Sequence, residues 1–244
     1  MSKPTIIGLV GNAGSGKSTV SSMIVKNAKN VYRMSFASPI KEYVSVVFHF
    51  PYYSIYGGSS QREALFTEFA HPERWNNVVI RNRGVANEWC RTLFPGDKDK
   101  SDALRASLDV WILRLRDESV NKGLTPRRAL QLIGTECGRA IEGDIWINHA
   151  IREIDAVKPT IEVIIIEDVR FINEAKALQD KGADLWRLTR TNPSALGATH
   201  ASEKELQGDE MKAYITHTID NVSTLDDLNT AVAQRLAFLK GNSL

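Results

Sequence analysis

The stretch that decides the fold is "GNAGSGKST", Gly11 to Thr19, which follows directly on the apolar run Thr5 to Val10. Gly11, Gly16, Lys17 and Ser18 fill the fixed places of the pattern G-x-x-x-x-G-K-[ST]. Glycines let a backbone wrap closely round a phosphate and aim successive N–H groups at it. A helix starting at Lys17 adds the positive end of its dipole. Lys17 brings a full charge to the β- and γ-phosphates, and the Ser18 hydroxyl is a ligand for Mg²⁺. Gly11, Asn12, Ala13, Gly14, Ser15, Gly16, Lys17, Ser18 and Thr19 together are therefore the expected ATP site.

Working outward, Thr5–Val10 is short, β-branched and continuous, as expected of a strand buried on both faces. Val20, Met23, Ile24 and Ala28 recur at helical spacing after it, and Val31 to Phe36 reads as a second strand. From Ser38 to Gly143 the chain is rich in charge, with turns at Phe50-Pro51 and Phe94-Pro95-Gly96. Leu104, Leu108, Trp111, Ile112 and Leu115 form a helical stripe there, and Pro126 stands at a helix start. This predicts a mainly helical insertion over 38–143, with the core formed by 1–37 and 144–244 of a single domain.

The strand–helix rhythm then resumes. Ile161 to Ile166 is the most continuous apolar strand, followed by a helix from Asn173 to Lys181 stopped at Gly182, and a strand from Ala183 to Thr189. Residues 190–208 read as a lid-like loop, and Tyr214 to Ile219 as the last strand. Ser223 and Asp226 are spaced to cap a final helix with Leu225, Leu228, Val232, Leu236 and Leu239 inward. The expected fold is α/β: a three-layer sandwich with a five-stranded, doubly wound parallel sheet and a mainly helical insertion.

Composition narrows the function. At 244 residues, 43% apolar and 25% charged, the chain buries a real core, and a net charge of +2 argues against a nucleic-acid coat or membrane-surface protein. Cys90 and Cys137 share no metal-ligand spacing and read as reduced thiols of a cytoplasmic protein. No apolar run reaches the ~18 residues of a membrane span.

A second acid is needed near the metal. Asp168, placed just past the Ile161–Ile166 strand, is the candidate, with Glu167 as its competitor. Arg170 points the same way on an extended backbone, as a phosphate ligand or as the salt-bridge partner of Asp168. No N-K-x-D base-reading motif of GTPases is present.

The segment "PRRALQLIGTECGRAIEGDIWINHA", Pro126 to Ala150, resembles the acceptor-binding region of the phage-type deoxynucleoside monophosphate kinases, a P-loop nucleotide kinase family. The shared pattern is Arg127-Arg128, Gln131, Gly134-Thr135 and Trp146, and it continues in "SFASPIKE" (35–42), "EDVRFINEA" (167–175) and, more loosely, "THASE" (199–203). Phe48 to Leu124 carries no landmark of the family, and Ser18 stands where many members have Asp.

The resemblance implies that Arg128 and Arg127 hold the acceptor phosphate and that Gln131 and Thr135 contact the nucleotide, with Gly134 allowing close approach. It implies base stacking on Trp146, which the flanking Ile145 and Ile147 alone equally allow as a core residue. Asp168, Arg170 and Glu174 would line the cleft, although Glu174 alone could serve a helix dipole. Arg190 would close over the γ-phosphate, Arg139 is a further phosphate candidate, and His200 reads as a loop residue.

The implied activity is ATP- and Mg²⁺-dependent phosphorylation of deoxynucleoside monophosphates. Lys17, Arg128, Asp168 and Arg170 would carry catalysis, with Ser18 and Asp168 at the metal. The partners are small molecules, with no nucleic acid and no membrane, and a homodimer is compatible. Two other readings use the same loop: a kinase of another acceptor (dephospho-coenzyme A or a phosphorylated alcohol), and a nucleotide-binding switch or motor ATPase.

Overall fold

The structure is a computed structural model and describes residues 3–12, 14–190, 208–222 and 224–241. The chain divides into two compact units, Met1–Phe36 with Ala150–Leu244, and Ala37–His149.

The first unit is built on a five-stranded, all-parallel sheet in the order β2-β3-β1-β4-β5. Its strands are β1 (Thr5–Val10), β2 (Val31–Met34), β3 (Val163–Val169), β4 (Asp184–Thr189) and β5 (His217–Asp220). Strand alternation sorts the side chains. Ile7, Leu9, Val163, Ile165, Trp186, Leu188 and Ile219 form one core with Val20, Met23 and Ile24 of α1 (Lys17–Asn27) and with Leu228, Val232 and Leu236 of the last helix, Leu225–Leu239. On the other face a methyl group at Gly8 would stand 3.2 Å from Leu178 of α9 (Ile172–Asp180), so that helix lies directly over the central strand. Helix, sheet, helix gives the expected α/β sandwich, with β1 the middle strand. Its chain leaves toward β2 while β4 leaves toward β5, and the two connections diverge at the carboxyl ends of the strands. In an open parallel sheet a ligand crevice opens at such a point.

Several boundaries differ from the sequence reading. β2 stops at Met34, and the Phe36 N–H turns to Asp168 instead of the sheet. β3 starts at Val163 and runs to Val169, so Glu167 and Asp168 lie within it. The ladder with β1 is irregular there but resumes at Val10–Val169. β5 begins at His217, because Asp209–Lys212 is helical and the N–H groups of Ala213, Tyr214 and Ile215 close turns. The last helix is capped one residue later than expected. Thr224 and Asp227 bond reciprocally, and Leu225 is 66% exposed. Residues 191–207, and with them most of the proposed lid, His200 and Glu203, lie outside the described residues, as does Ser223.

The second unit is helical: α2 (Ser38–Phe48), α3 (Tyr52–Tyr56), α4 (Ser59–Arg62), α5 (Pro72–Leu93), α6 (Lys98–Ser119) and α7 (Pro126–Gln131), the last running into a π-helical stretch, Leu132–Arg139. α8 (Ile145–Ala156) begins in this unit and ends in the first. The stripe of α6 is buried at Leu104, Leu108, Ile112 and Leu115, while Trp111 is half-buried beneath Arg114. Phe48, Phe50, Phe69 and Trp75 form an aromatic core beside it. Cys90 and Cys137 are free and buried, and burial pushes their thiols up to about 12 and about 11, so both stay protonated at neutral pH. No helix among the described residues is long and apolar enough to cross a membrane.

The π-helical stretch turns two glycines, four residues apart, toward their neighbours. A methyl at Gly138 would stand 2.3 Å from Trp146 Cζ2 and 3.2 Å from the Ile133 carbonyl, with no room for the rigid indole to yield. Gly84, exposed on α5, would have nothing within 4 Å of an added methyl. Gly138→Ala should therefore destabilise by about 1–3 kcal/mol. Gly84→Ala should stabilise by about 0.5–1 kcal/mol by relieving glycine's backbone entropy. Urea unfolding midpoints of the two variants test these opposite signs.

Candidate functional site

In the first unit, the loop between β1 and α1 opens at the divergence of the strand connections. Gly14 and Gly16 have φ of 77° and 101°, left-handed values that a side chain would strain. Lys17 Nζ reaches back across the loop to the carbonyls of Gly11 (2.6 Å) and Asn12 (2.9 Å). Ser15 N–H closes on the Asn12 carbonyl at 3.2 Å. The Ser15 side chain is 5% exposed, and its Oγ is buried with no hydrogen-bond partner among the described residues. A buried hydroxyl seldom goes unbonded, which sets Ser15 apart within the loop. Ser18 is exposed and Thr19 half-buried in the first turn of α1, while Ala13 lies outside the described residues.

Two further loops reach this cradle from the ends of neighbouring strands. Arg190, at the end of β4, directs Nη1 at the Gly14 carbonyl (3.4 Å), a long contact that places its exposed guanidinium beside the loop. Asn221, just after β5, donates from Nδ2 to the Ser15 carbonyl at 3.0 Å. The sequence reading missed Asn221, which belongs to no motif. Its one available signal was a polar residue at the carboxyl end of a parallel strand.

The two acids of β3 have different surroundings. Glu167 Oε1 accepts from Ser21 Oγ of α1 at 2.5 Å and from Arg33 Nε and Nη2 of β2 at 2.8 and 2.6 Å. Asp168 uses one oxygen, which accepts from the Phe36 N–H at 3.1 Å, and no other bond reaches it among the described residues. Each acid leaves its second oxygen unbonded among the described residues, but only Glu167 is already held by a guanidinium. Ser18 and Asp168 offer the hard oxygen donors that Mg²⁺ takes when most of its shell is water and phosphate, so the residues fit that ion.

Arg170 is exposed and pairs with no carboxylate among the described residues, so it is not the salt-bridge partner of Asp168. Glu174 is 3% exposed and works as a cap. Its carboxylate accepts from the backbone N–H of Arg170 (2.8 Å) and of Phe171 (3.2 Å) at the start of α9. Instead of facing a ligand, it holds the backbone from which the Arg170 guanidinium projects.

In the second unit, Thr125 Oγ1 accepts from Arg128 N–H at 3.2 Å and starts α7 with Pro126 in its first turn. The two arginines of that turn are paired. Arg127 meets Glu63. Arg128 grips Glu118 through Nε and Nη2, both at 3.0 Å, and Glu136 through Nη1. Bonding to Glu136 first, and then to Glu118, holds its guanidinium more firmly protonated than usual despite partial burial. Gln131 and Arg139 are half-buried and Thr135 exposed along the same helical segment.

Trp146 is a core residue in this structure. It is 3% exposed, donates Nε1–H to the Gly134 carbonyl at 2.9 Å and lies 6.0 Å from the half-buried Trp89 ring. That leaves it no open face for a base. Gly134 likewise lends its lack of a side chain to Ile40, whose Cδ1 would be 2.9 Å from an added methyl. The close approach expected of a nucleotide is made here by the protein itself.

A family model described as deoxynucleotide monophosphate kinase matches residues 76–232. A deoxynucleoside-5'-monophosphate kinase of Escherichia phage T5 is 28% identical over 247 residues, covering 92% of this chain and 91% of its own. A protein of Acanthamoeba polyphaga mimivirus, named as a candidate deoxynucleotide monophosphate kinase, is 26% identical over 227 residues, covering 88% of each chain.

Proposed function

The chain belongs to the deoxynucleotide monophosphate kinase family, and from that premise we propose that it passes the γ-phosphoryl group of ATP to the phosphate of a deoxynucleoside monophosphate. What carries the reading is the presence in one chain of the family match over residues 76–232 and a complete phosphate loop, Gly11–Ser18, that lies outside it. An acceptor phosphate oxygen forms a bond to the terminal phosphorus of ATP as the bridging P–O bond breaks, giving a deoxynucleoside diphosphate and ADP. An acceptor already ionised at neutral pH needs no strong general base, so alignment and charge stabilisation carry the step.

Lys17, Arg170 and Arg190 would offset the charge of the transferring group, with Lys17 taking up phosphate oxygens where it now holds two carbonyls. Ser18 and Asp168 would hold Mg²⁺, which when bound would offset the charge of the triphosphate. Arg127 and Arg128 remain the proposed acceptor-phosphate ligands, with Gln131 and Thr135 beside them. The fork of Arg128 that would take a phosphate bidentately is filled by Glu118 and Glu136, so binding there exchanges one anion for another.

A coupled assay of ADP release over the common nucleoside monophosphates and their deoxy forms tests the reading. ATP consumption should rise on addition of deoxynucleoside monophosphates. Stimulation only by a non-nucleotide phosphate ester, or only by a protein or DNA, would reject it.

A further inference from the structure

Asn221 is assigned to nothing by the sequence pattern, yet like Arg190 its side chain grips the phosphate loop from outside. Its Nδ2 donates to the Ser15 carbonyl at 3.0 Å. The same nitrogen would stand 2.4 Å from a methyl group at Gly16, so the absence of a side chain at that position is what lets Asn221 reach the loop. Asn221 is itself anchored. Its backbone N–H donates to the Thr189 carbonyl at 2.8 Å, and Thr189 Oγ1 bonds the carboxylate of the preceding Asp220. The ends of β4 and β5 are thereby tied together, with Asn221 projecting from them toward the loop.

The geometry of the peptide group says what this grip does. In a planar trans peptide the C=O and N–H vectors point in opposite directions. The Ser15 carbonyl and the Gly16 N–H belong to one such group. With the carbonyl held by Asn221 on one side, the Gly16 N–H is aimed to the other. It has no hydrogen-bond partner among the described residues. In an unrestrained glycine-rich loop that plane could rotate, and orienting it on binding would cost conformational entropy. We propose that Asn221 is a positioning residue for the triphosphate: it locks the Ser15–Gly16 peptide so that the Gly16 N–H is preset as a phosphate donor. This rests on the assignment of Gly11–Ser18 as the ATP loop. The proposal gives Asn221 no contact with the reacting atoms or the acceptor.

The test measures KM for ATP at saturating deoxynucleoside monophosphate, KM for the acceptor at saturating ATP, and binding of a fluorescent ATP analogue with Mg²⁺ and no acceptor. Losing one prepaid hydrogen bond should make Asn221→Ala raise KM for ATP and weaken analogue binding by roughly five- to tenfold, with the acceptor KM within twofold. Asn221→Asp keeps the size but replaces the donor with a carboxylate that repels both the Ser15 carbonyl and the triphosphate. It should be worse than the alanine variant for ATP while melting close to the parent, and it keeps the proposal testable if the alanine variant folds poorly. An unchanged ATP KM, or an equal rise in both KM values, would overturn the proposal while leaving the kinase reading intact. Analogue binding that depends on Asn221 in a chain that phosphorylates no nucleotide would uphold it and reject the kinase reading.

Discussion

Lys17→Ala should cut the rate of phosphoryl transfer by about 100- to 1,000-fold and leave the protein folded, with a melting temperature about 6–12 °C below the parent. The two halves of that result have separate physical origins. In the structure the ammonium group bridges the carbonyls of Gly11 and Asn12, two hydrogen bonds in a partly buried loop. Bonds from a charged group contribute about 1.5–3 kcal/mol each after exchange with water, and in this partly solvated loop the low end applies, so their loss costs about 3 kcal/mol without unfolding the chain. In the proposed reaction the same group would face a triphosphate whose negative charge must be held while a second phosphate approaches. That stabilisation is needed most in the transition state, which is why its loss appears in kcat. Lys17→Arg should rescue little, because a planar guanidinium cannot occupy the compact position between the two carbonyls that an ammonium fills. Coupled ADP release and a thermal melt on one preparation decide the matter. A folded Lys17→Ala variant turning over at close to the parent rate would remove Lys17 from the chemistry.

How far the sequence carried the structure depends on whether a signal was local. The β1–loop–α1 unit was legible because phosphate binding constrains residue type at each position, and the structure has its strand and helix where the pattern put them. Glu167 and Asp168 looked like the turn after a strand because acids are rare in buried strands. The ladder to Val10 carries the strand on through both, and no local property of the segment encodes that pairing. Ser223 and Thr224 are both cap formers with an acid three residues on, so one-residue ambiguity at the last helix was built in.

The functional side chains divide in the same way. Trp146 between two isoleucines allowed either core or base platform, and the choice was made by Gly138, eight residues earlier, which leaves the indole a place to lie. The carboxylates on Arg128 come from the end of α6 and from the π-helical stretch, and neither spacing has a periodicity that flags it. Asn221 is the extreme case, because its role exists only through a contact with a carbonyl 206 positions away in sequence.

The largest stability effect is expected at the opposite end of β4 from the phosphate loop. Asp184 opens that strand, and its side chain is 10% exposed against 17% for Arg235 of the last helix. Arg235 grips both carboxylate oxygens, at 2.9 and 2.6 Å, while Thr216 Oγ1 (2.6 Å) and Trp186 Nε1 (2.5 Å) add two more donors. Asp184→Ala would strand a mostly buried guanidinium and an indole N–H together, a loss of about 3–5 kcal/mol. Burial pushes the Asp184 carboxyl up, but the bonds from Arg235, Thr216 and Trp186 outweigh it and hold the group below its ordinary value of 3.8. The native carboxylate therefore binds its proton less readily than the unfolded one. Its stabilisation is complete above the ordinary aspartate range and is lost as pH falls through the lowered native value. The gap in stability between parent and Asp184→Asn should accordingly be constant from neutral pH down to about 5, and narrow in stronger acid. Replacing both partners with apolar residues, as in Asp184→Leu with Arg235→Met, should recover much of what either single change loses, because no charge is left unpaired. Urea denaturation of the two single variants and the double variant measures the coupling directly, and KM for ATP should stay at the parent value in any variant that folds. A single-variant loss below about 1 kcal/mol would mean that the pair behaves as a solvated surface bridge.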